Sequence, residues 1–222
     1  MNSFVTEVAA FLLLAFPALF SIINPLGGAF IFLAATRGMS PAVRNRLARK
    51  VATYSFFLLV GSMLAGAFVL RFFGISVPVL RVAGGIVIAL SAWKMLDASE
   101  DTGERDAAVE EANKRDADHM AFYPLTMPVT TGPGTISVAI ALGIGETADR
   151  DPVMFGVEVL LATGLISLLI YALYRSSSQM SRAVGTTGTT IIARLSSFLL
   201  FCIGIQVLWS GVAELIASLP AR

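Results

Sequence analysis

The chain has 222 residues, of which 56% are hydrophobic and 14% charged, and its 16 Lys and Arg nearly balance 15 Asp and Glu for a net charge of +1. With a mean hydropathy of +0.78, it is too apolar for an ordinary soluble domain, and its cations fall between apolar runs rather than along one nucleic-acid-binding stripe. Cys202 is the single cysteine and His119 the single histidine, so an intramolecular disulfide and a metal site of the usual Cys/His kind are excluded, and no cofactor is expected.

Six apolar runs are long enough to cross a bilayer, near residues 5–35, 47–70, 77–96, 123–144, 153–174 and 191–217. The first follows Glu7 with no Lys or Arg ahead of it and no small-residue cleavage pattern behind it, so it is expected to remain as a spanning helix. It is interrupted by Asn24-Pro25-Leu26-Gly27-Gly28. Proline lacks an amide hydrogen and collides with the carbonyl four residues back, here that of Ser21, so the helix should break at this point. Ser40-Pro41 then caps the second run, whose Gly61, Ser62, Ala65 and Gly66 form overlapping small-residue patterns suited to close packing, within the chain or with a second copy. The third run opens on Arg81-Val82-Ala83-Gly84-Gly85 and ends near Trp93, an interfacial anchor.

Residues 98–122 form an acidic connection, with Glu100, Asp101, Glu104, Asp106, Glu110, Glu111, Asp116 and Asp118 against Arg105, Lys114 and Arg115. It has almost nothing apolar to bury and is expected to be a solvated linker. The fourth run carries a second interruption, Thr130-Thr131-Gly132-Pro133-Gly134, which frees the carbonyl of Val129. Asp151-Pro152 caps the fifth, which buries the acid Glu158 a turn or two inside. Gly185-Thr186-Thr187-Gly188 lacks the lysine of a phosphate loop and is expected to be a flexible connection capping the sixth run, which continues through Arg194-Leu195-Ser196-Ser197 to Trp209.

Orientation follows from the cations. The first connection holds Arg37, Arg44, Arg46, Arg49 and Lys50 with no acid, and the third and fifth are also basic-flanked, whereas the second and fourth offer Arg71 and Arg150. Odd connections therefore face the cytoplasm and both termini lie outside. The acid-free cluster has a second use in binding anionic lipid, although its topological role is the simpler account.

The two halves, residues 1–97 and 123–222, match in layout: a broken span, then two more, the last opening on arginine and small residues. Three spans per half is an odd number, so the second copy enters the membrane the other way round. The expected fold is all-α, six transmembrane helices in two inverted three-helix repeats, with the first and fourth helices broken. Paired breaks of this kind mark the binding site in inverted-repeat carriers, because unwound backbone at membrane depth survives only inside protein or beside water.

The strings Phe16-Pro17 with Asn24-Pro25-Leu26-Gly27-Gly28, and Tyr123-Pro124-Leu125-Thr126-Met127-Pro128 with Thr131-Gly132-Pro133-Gly134-Thr135-Ile136, resemble the MarC integral membrane proteins, a branch of the LysE-type exporter superfamily. The resemblance covers nearly the whole chain. It implies a six-span protein of the bacterial cytoplasmic membrane and suggests small neutral amino acids or related metabolites as cargo.

Chemistry points the same way. A free amino acid carries a carboxylate suited to the positive N-terminal end of a half-helix and an ammonium suited to unwound carbonyls. Asn24, Pro25, Gly27, Gly28, Thr130, Thr131, Gly132, Pro133, Gly134 and Thr135 are thus the candidate substrate-binding residues, with neutral donors and acceptors and close backbone approach at the glycines. The plainer alternative is that these residues only let helices kink and pack. Glu158 is a candidate for carrying a coupling proton, with Arg81 as a partner across helices, and Arg194 is the symmetric counterpart of Arg81. An enzyme built on Glu158 and His119 is disfavoured, since His119 belongs to the acidic connection. The alternative from another class is a non-transporting membrane scaffold or stress-related accessory protein, which needs the small-residue faces and not the paired breaks.

Overall fold

A computed structural model of the chain describes residues 2–36, 39–97, 117–145 and 151–218. These form α1 (Asn2–Ile23), α2 (Pro25–Ala35), α3 (Pro41–Phe72), α4 (Val77–Asp97), the single turn α5 (Ala117–Met120), a wide-turn segment Ala121–Thr130, α6 (Pro133–Gly145) and α7 (Pro152–Ala217). Most of the acidic connection lies outside the described residues. No strand occurs among those described, and the chain is an all-α polytopic membrane protein. Among the described residues five stretches are long and apolar enough to span a bilayer: Thr6–Leu33, Pro41–Phe73, Val77–Asp97, Pro152–Gly185 and Thr190–Ala217. The fourth apolar run is different, because its one regular apolar helix, Pro133–Ile144, is too short to cross alone.

Local sequence sets the ends of these elements. The Ser40 hydroxyl accepts from the Val43 amide, and the Asp151 carboxylate accepts from the Val153 amide, each ahead of a proline in the first turn. Between the fifth and sixth apolar runs the expected flexible connection is mostly helical. The fifth span runs on to Gly185, which alone leaves helical geometry at φ 73°, ψ 176°, a left-handed value that glycine adopts without a side-chain clash. Tyr174 and Ser196 are 22 residues apart in α7, so a straight helix would separate them by about 33 Å. They nevertheless pack against the adjacent residues Gly28 and Gly27 of α2. The two arms of α7 therefore fold back on one another at Gly185.

Packing rests on small residues as well as on apolar stripes. A β-carbon at Gly204 would lie 2.6 Å from the Ala89 nitrogen, and one at Gly211 would lie 2.7 Å from the Pro78 carbonyl, so the second arm of α7 lies backbone against backbone on α4. Gly143 of α6 presses in the same way on the backbone of Met63 in α3, and Gly66 faces Ile140. Lipid is as apolar as leucine, so such close approach replaces the hydrophobic drive available in water. Around these seams Phe11, Leu19, Leu47, Leu59, Ile166 and Ile170 are buried, whereas Leu13, Phe57, Phe68, Leu168 and Trp209 are exposed as lipid-facing side chains are. Of the small residues singled out on α3, Gly66 is used inside the chain; Gly61 has nothing within 4 Å of a β-carbon.

Two alanine substitutions separate these environments. Gly204→Ala is expected to cost about 1–3 kcal/mol by forcing α4 and α7 apart, while Gly61→Ala changes stability by less than about 0.5 kcal/mol. Thermal unfolding in one detergent checks both.

Candidate functional site

The first break is confined to one residue. Asn24 sits at φ 46°, in the left-handed region that asparagine tolerates better than most side chains. Its Oδ1 accepts from the Gly27 amide at 3.3 Å, and its carbonyl accepts from the Gly28 amide at 2.9 Å. Asn24 thus caps α2, with Pro25 in the first helical position. Its Nδ2 donates to the Ser196 carbonyl at 3.3 Å, tying the break to the second arm of α7.

The second break is longer than the Gly-Pro-Gly signal alone implies. Tyr123 (φ −126°, ψ 122°) and Met127 (φ −116°, ψ 120°) are already extended inside the wide-turn segment. Each directly precedes a proline, Pro124 and Pro128, and the residue before proline is pushed out of the helical region. Wide turns bring threonine hydroxyls over carbonyls five residues back: Thr126 Oγ1 donates to the Ala121 carbonyl at 2.6 Å, and Thr130 Oγ1 to the Leu125 carbonyl at 2.7 Å. The Thr131 amide likewise reaches the Thr126 carbonyl at 2.8 Å. These hydroxyls give the irregular segment donors within its own length. Thr131 leaves the helix at φ −121°, ψ 74° and its hydroxyl donates to Ser55 Oγ on α3 at 2.8 Å.

Tyr174, on the first arm of α7, joins the two breaks. Its hydroxyl lies 2.8 Å from Thr130 Oγ1; because the Thr130 hydrogen is already given to Leu125, Tyr174 is the donor. The same phenol occupies the space where a β-carbon of Gly28 would stand, and the ring stacks on Phe32 of α2 with centroids 4.8 Å apart. Tyr174 is fully buried. Nothing in its local sequence marks it, since a tyrosine beside Arg175 near a basic connection has the look of an interfacial anchor.

Contacts elsewhere are reciprocal. The first break meets Ser196 in the last span of the second half, while Gly134, one residue past Pro133, meets Ile88 and the Gly84 carbonyl in the last span of the first half. Gly84 in turn faces Ser137 of α6. Pro25, Gly27, Gly28, Thr130, Thr131, Gly134 and Thr135 are buried, Asn24 and Gly132 are half-buried, and Pro133 is exposed, so Pro133 shapes the chain without lining an interior.

The expected ion pair is corrected. Arg81 pairs with Glu214 on the second arm of α7 rather than with Glu158, because the close seam between α4 and that arm brings these two ends together. Glu158 is fully buried, and it lies 16 residues from Tyr174 on the same arm, about 24 Å along the axis. Arg194 is exposed, as is His119. Among the described residues no group of His, Cys, Asp and Glu could hold a metal ion.

The profile described as MarC family integral membrane protein matches residues 9–216. Inner membrane protein MarC of Escherichia coli is 34% identical over 208 residues, covering 90% of this chain and 93% of the relative, and its counterpart from Citrobacter koseri is 36% identical over the same coverage. No solved structure matches the chain.

The Tyr174 junction makes a coupled prediction. Gly28→Ala is expected to destabilise by about 1–3 kcal/mol through overpacking, and Tyr174→Phe by about 1 kcal/mol through loss of one hydrogen bond. The double variant should cost clearly less than the sum, since removing the hydroxyl makes room for the methyl group. Simple additivity in thermal unfolding would mean that the phenol does not fill the space beside Gly28.

Proposed function

Because this chain belongs to the MarC family of integral membrane proteins, we propose that it is a multi-pass inner-membrane carrier that moves a small polar metabolite, in particular a small neutral amino acid, by alternating access. The observation that carries this reading is the Tyr174 bridge from Gly28 to Thr130. It brings the first helical turn after the break in one span and the end of the wide-turn segment in another to one buried point. Helix kinks that served packing alone would have no need to converge.

Reciprocal contacts between the first break and Ser196, and between the second and Gly84, support two inverted repeats with each broken span docked on the closing span of the other half. At the centre, the first turn of α6 offers the amides of Gly134 and Thr135 to a carboxylate, and Asn24, Thr130 and Thr131 offer neutral donors and acceptors to the rest of the solute. Neutral groups and glycines at the junction favour small cargo with an uncharged side chain. Glu158, buried in the first arm of α7, is the proposed coupling carboxyl, acting at a distance from the junction. The basic connections support an orientation with both termini outside the cytoplasm.

Counterflow in vesicles containing the purified chain tests the reading against a non-transporting scaffold. Exchange of at least one small neutral amino acid is expected; no substrate-specific exchange across a panel of amino acids and small metabolites, with folded protein verified, would leave the scaffold. Gly132→Leu is expected to lower exchange at least about tenfold by blocking the second break, with unaltered insertion and elution. Glu158→Gln should retain counterflow and lose uptake driven by a proton gradient. Gradient-driven uptake at the normal rate would remove Glu158 from coupling.

A further inference from the structure

At the basic end of the protein, away from the junction, a cavity of 970 Å³ opens between the start of α3 and the first arm of α7. Arg44, Arg175 and Arg182 line it, together with Asn45, Gln179 and several serines, and no Asp or Glu is present among the described lining residues. None of the three arginines pairs with a carboxylate among the described residues.

Each guanidinium is held in place by neutral groups. Arg44 donates from Nε to Thr36 Oγ1 at 3.2 Å, from one terminal nitrogen to the Thr36 carbonyl at 3.1 Å, and from the other to Ser178 Oγ at 2.5 Å. Arg182 donates from Nε to the Ser178 carbonyl at 3.3 Å. Arg175 gives one terminal nitrogen to the Tyr171 hydroxyl at 3.1 Å and lies over that ring, 5.8 Å from its centroid. Both terminal nitrogens of Arg182, and Nε and one terminal nitrogen of Arg175, are left to donate to something else. Positioned guanidinium donors of this kind match the oxygens of a phosphate group.

The other wall is apolar. Leu33, Leu168 and Ala172 continue the cavity toward the middle of the membrane, and Leu168 is 63% exposed on the outer face of α7. A ligand here thus meets arginines at one end and hydrocarbon at the other. Those are the two ends of a phospholipid.

We propose that this cavity binds an anionic phospholipid, with its phosphate on Arg175, Arg182 and Arg44 and its acyl chains along Leu168 and Leu33. Basic pockets between membrane helices on the cytoplasmic side are suited to such headgroups. The lipid would clamp the start of α3 to α7, where Ser178 already receives Arg44. This inference stands whether or not the chain transports a solute.

Native mass spectrometry of the full chain released from nanodiscs of equal parts phosphatidylglycerol and phosphatidylcholine tests it. Retention of phosphatidylglycerol over phosphatidylcholine is expected. The double variant Arg175→Gln/Arg182→Gln should lower that preference about 25-fold, at roughly fivefold per arginine, while Arg71→Gln, exposed at the far end of α3, leaves it unchanged. Equal retention of both lipids, or the same preference in the double variant, overturns the proposal. So does saturable binding of inorganic phosphate by the detergent-purified chain without any lipid preference, which would assign the arginines to a soluble phosphate. Melting temperature in detergent, expected to be unaltered for both variants, separates loss of the site from loss of the fold.

Discussion

A peptide group that leaves the helix inside hydrocarbon has no water to turn to, and that constraint organises this molecule. Both interruptions place unwound backbone in the apolar part of the chain, and both are resolved by protein groups brought close. At the first, the Asn24 side chain does two tasks, capping Gly27 and reaching the Ser196 carbonyl. At the second, the hydroxyls of Thr126 and Thr130 donate to the carbonyls of Ala121 and Leu125 inside the wide-turn segment. Leaving a buried polar group without a partner costs several kcal/mol in such surroundings, so these threonines are as much a part of the architecture as the prolines that interrupt the helix.

The same constraint explains why glycine matters at the seams. Breaks can be enclosed only if the surrounding helices come near enough to exclude lipid, and a β-carbon at Gly143, Gly204 or Gly211 would meet neighbouring backbone. Backbone cannot swing aside as a leucine tip can. Close seams in turn fix which ends meet, and this is how Arg81 comes to pair with Glu214, 133 residues away in the chain.

Local chemistry was legible in the sequence wherever it depended on neighbours in the chain. Ser40-Pro41 and Asp151-Pro152 announce helix starts, Asn24-Pro25 announces a cap and a break, and the apolar runs announce an all-α membrane protein. The pre-proline positions Tyr123 and Met127 carried an equally readable signal, overshadowed by the more conspicuous Gly132-Pro133-Gly134. What could not be read was anything created by the fold-back at Gly185. That single left-handed residue sets Tyr174 and Ser196 on neighbouring positions of α2, and no property of an isolated tyrosine near the end of an apolar run discloses it. The pairing of Glu158 with Arg81 failed in the opposite sense: the place of Glu158 inside a span was legible, but the pairing of Arg81 with Glu214 follows from helix packing and not from proximity to a span end.

Gly27 and Gly28 are consecutive, and on a helix consecutive residues point about 100° apart. One faces Ser196 on the second arm of α7 and the other faces Tyr174 on the first. The short helix α2 is therefore seated in the angle between two arms that are joined at Gly185, with the Tyr174 ring on one side and the Asn24 amide on the other. The Asn24 side is one hydrogen bond with a net worth of about 1 kcal/mol, whereas the Tyr174 side is packing, the Phe32 stack and the Gly28 contact, its phenol bonding Thr130 rather than α2. α2 is therefore tied to the second arm by a hydrogen bond and to the first by packed rings, and neither tie runs through the glycine seams.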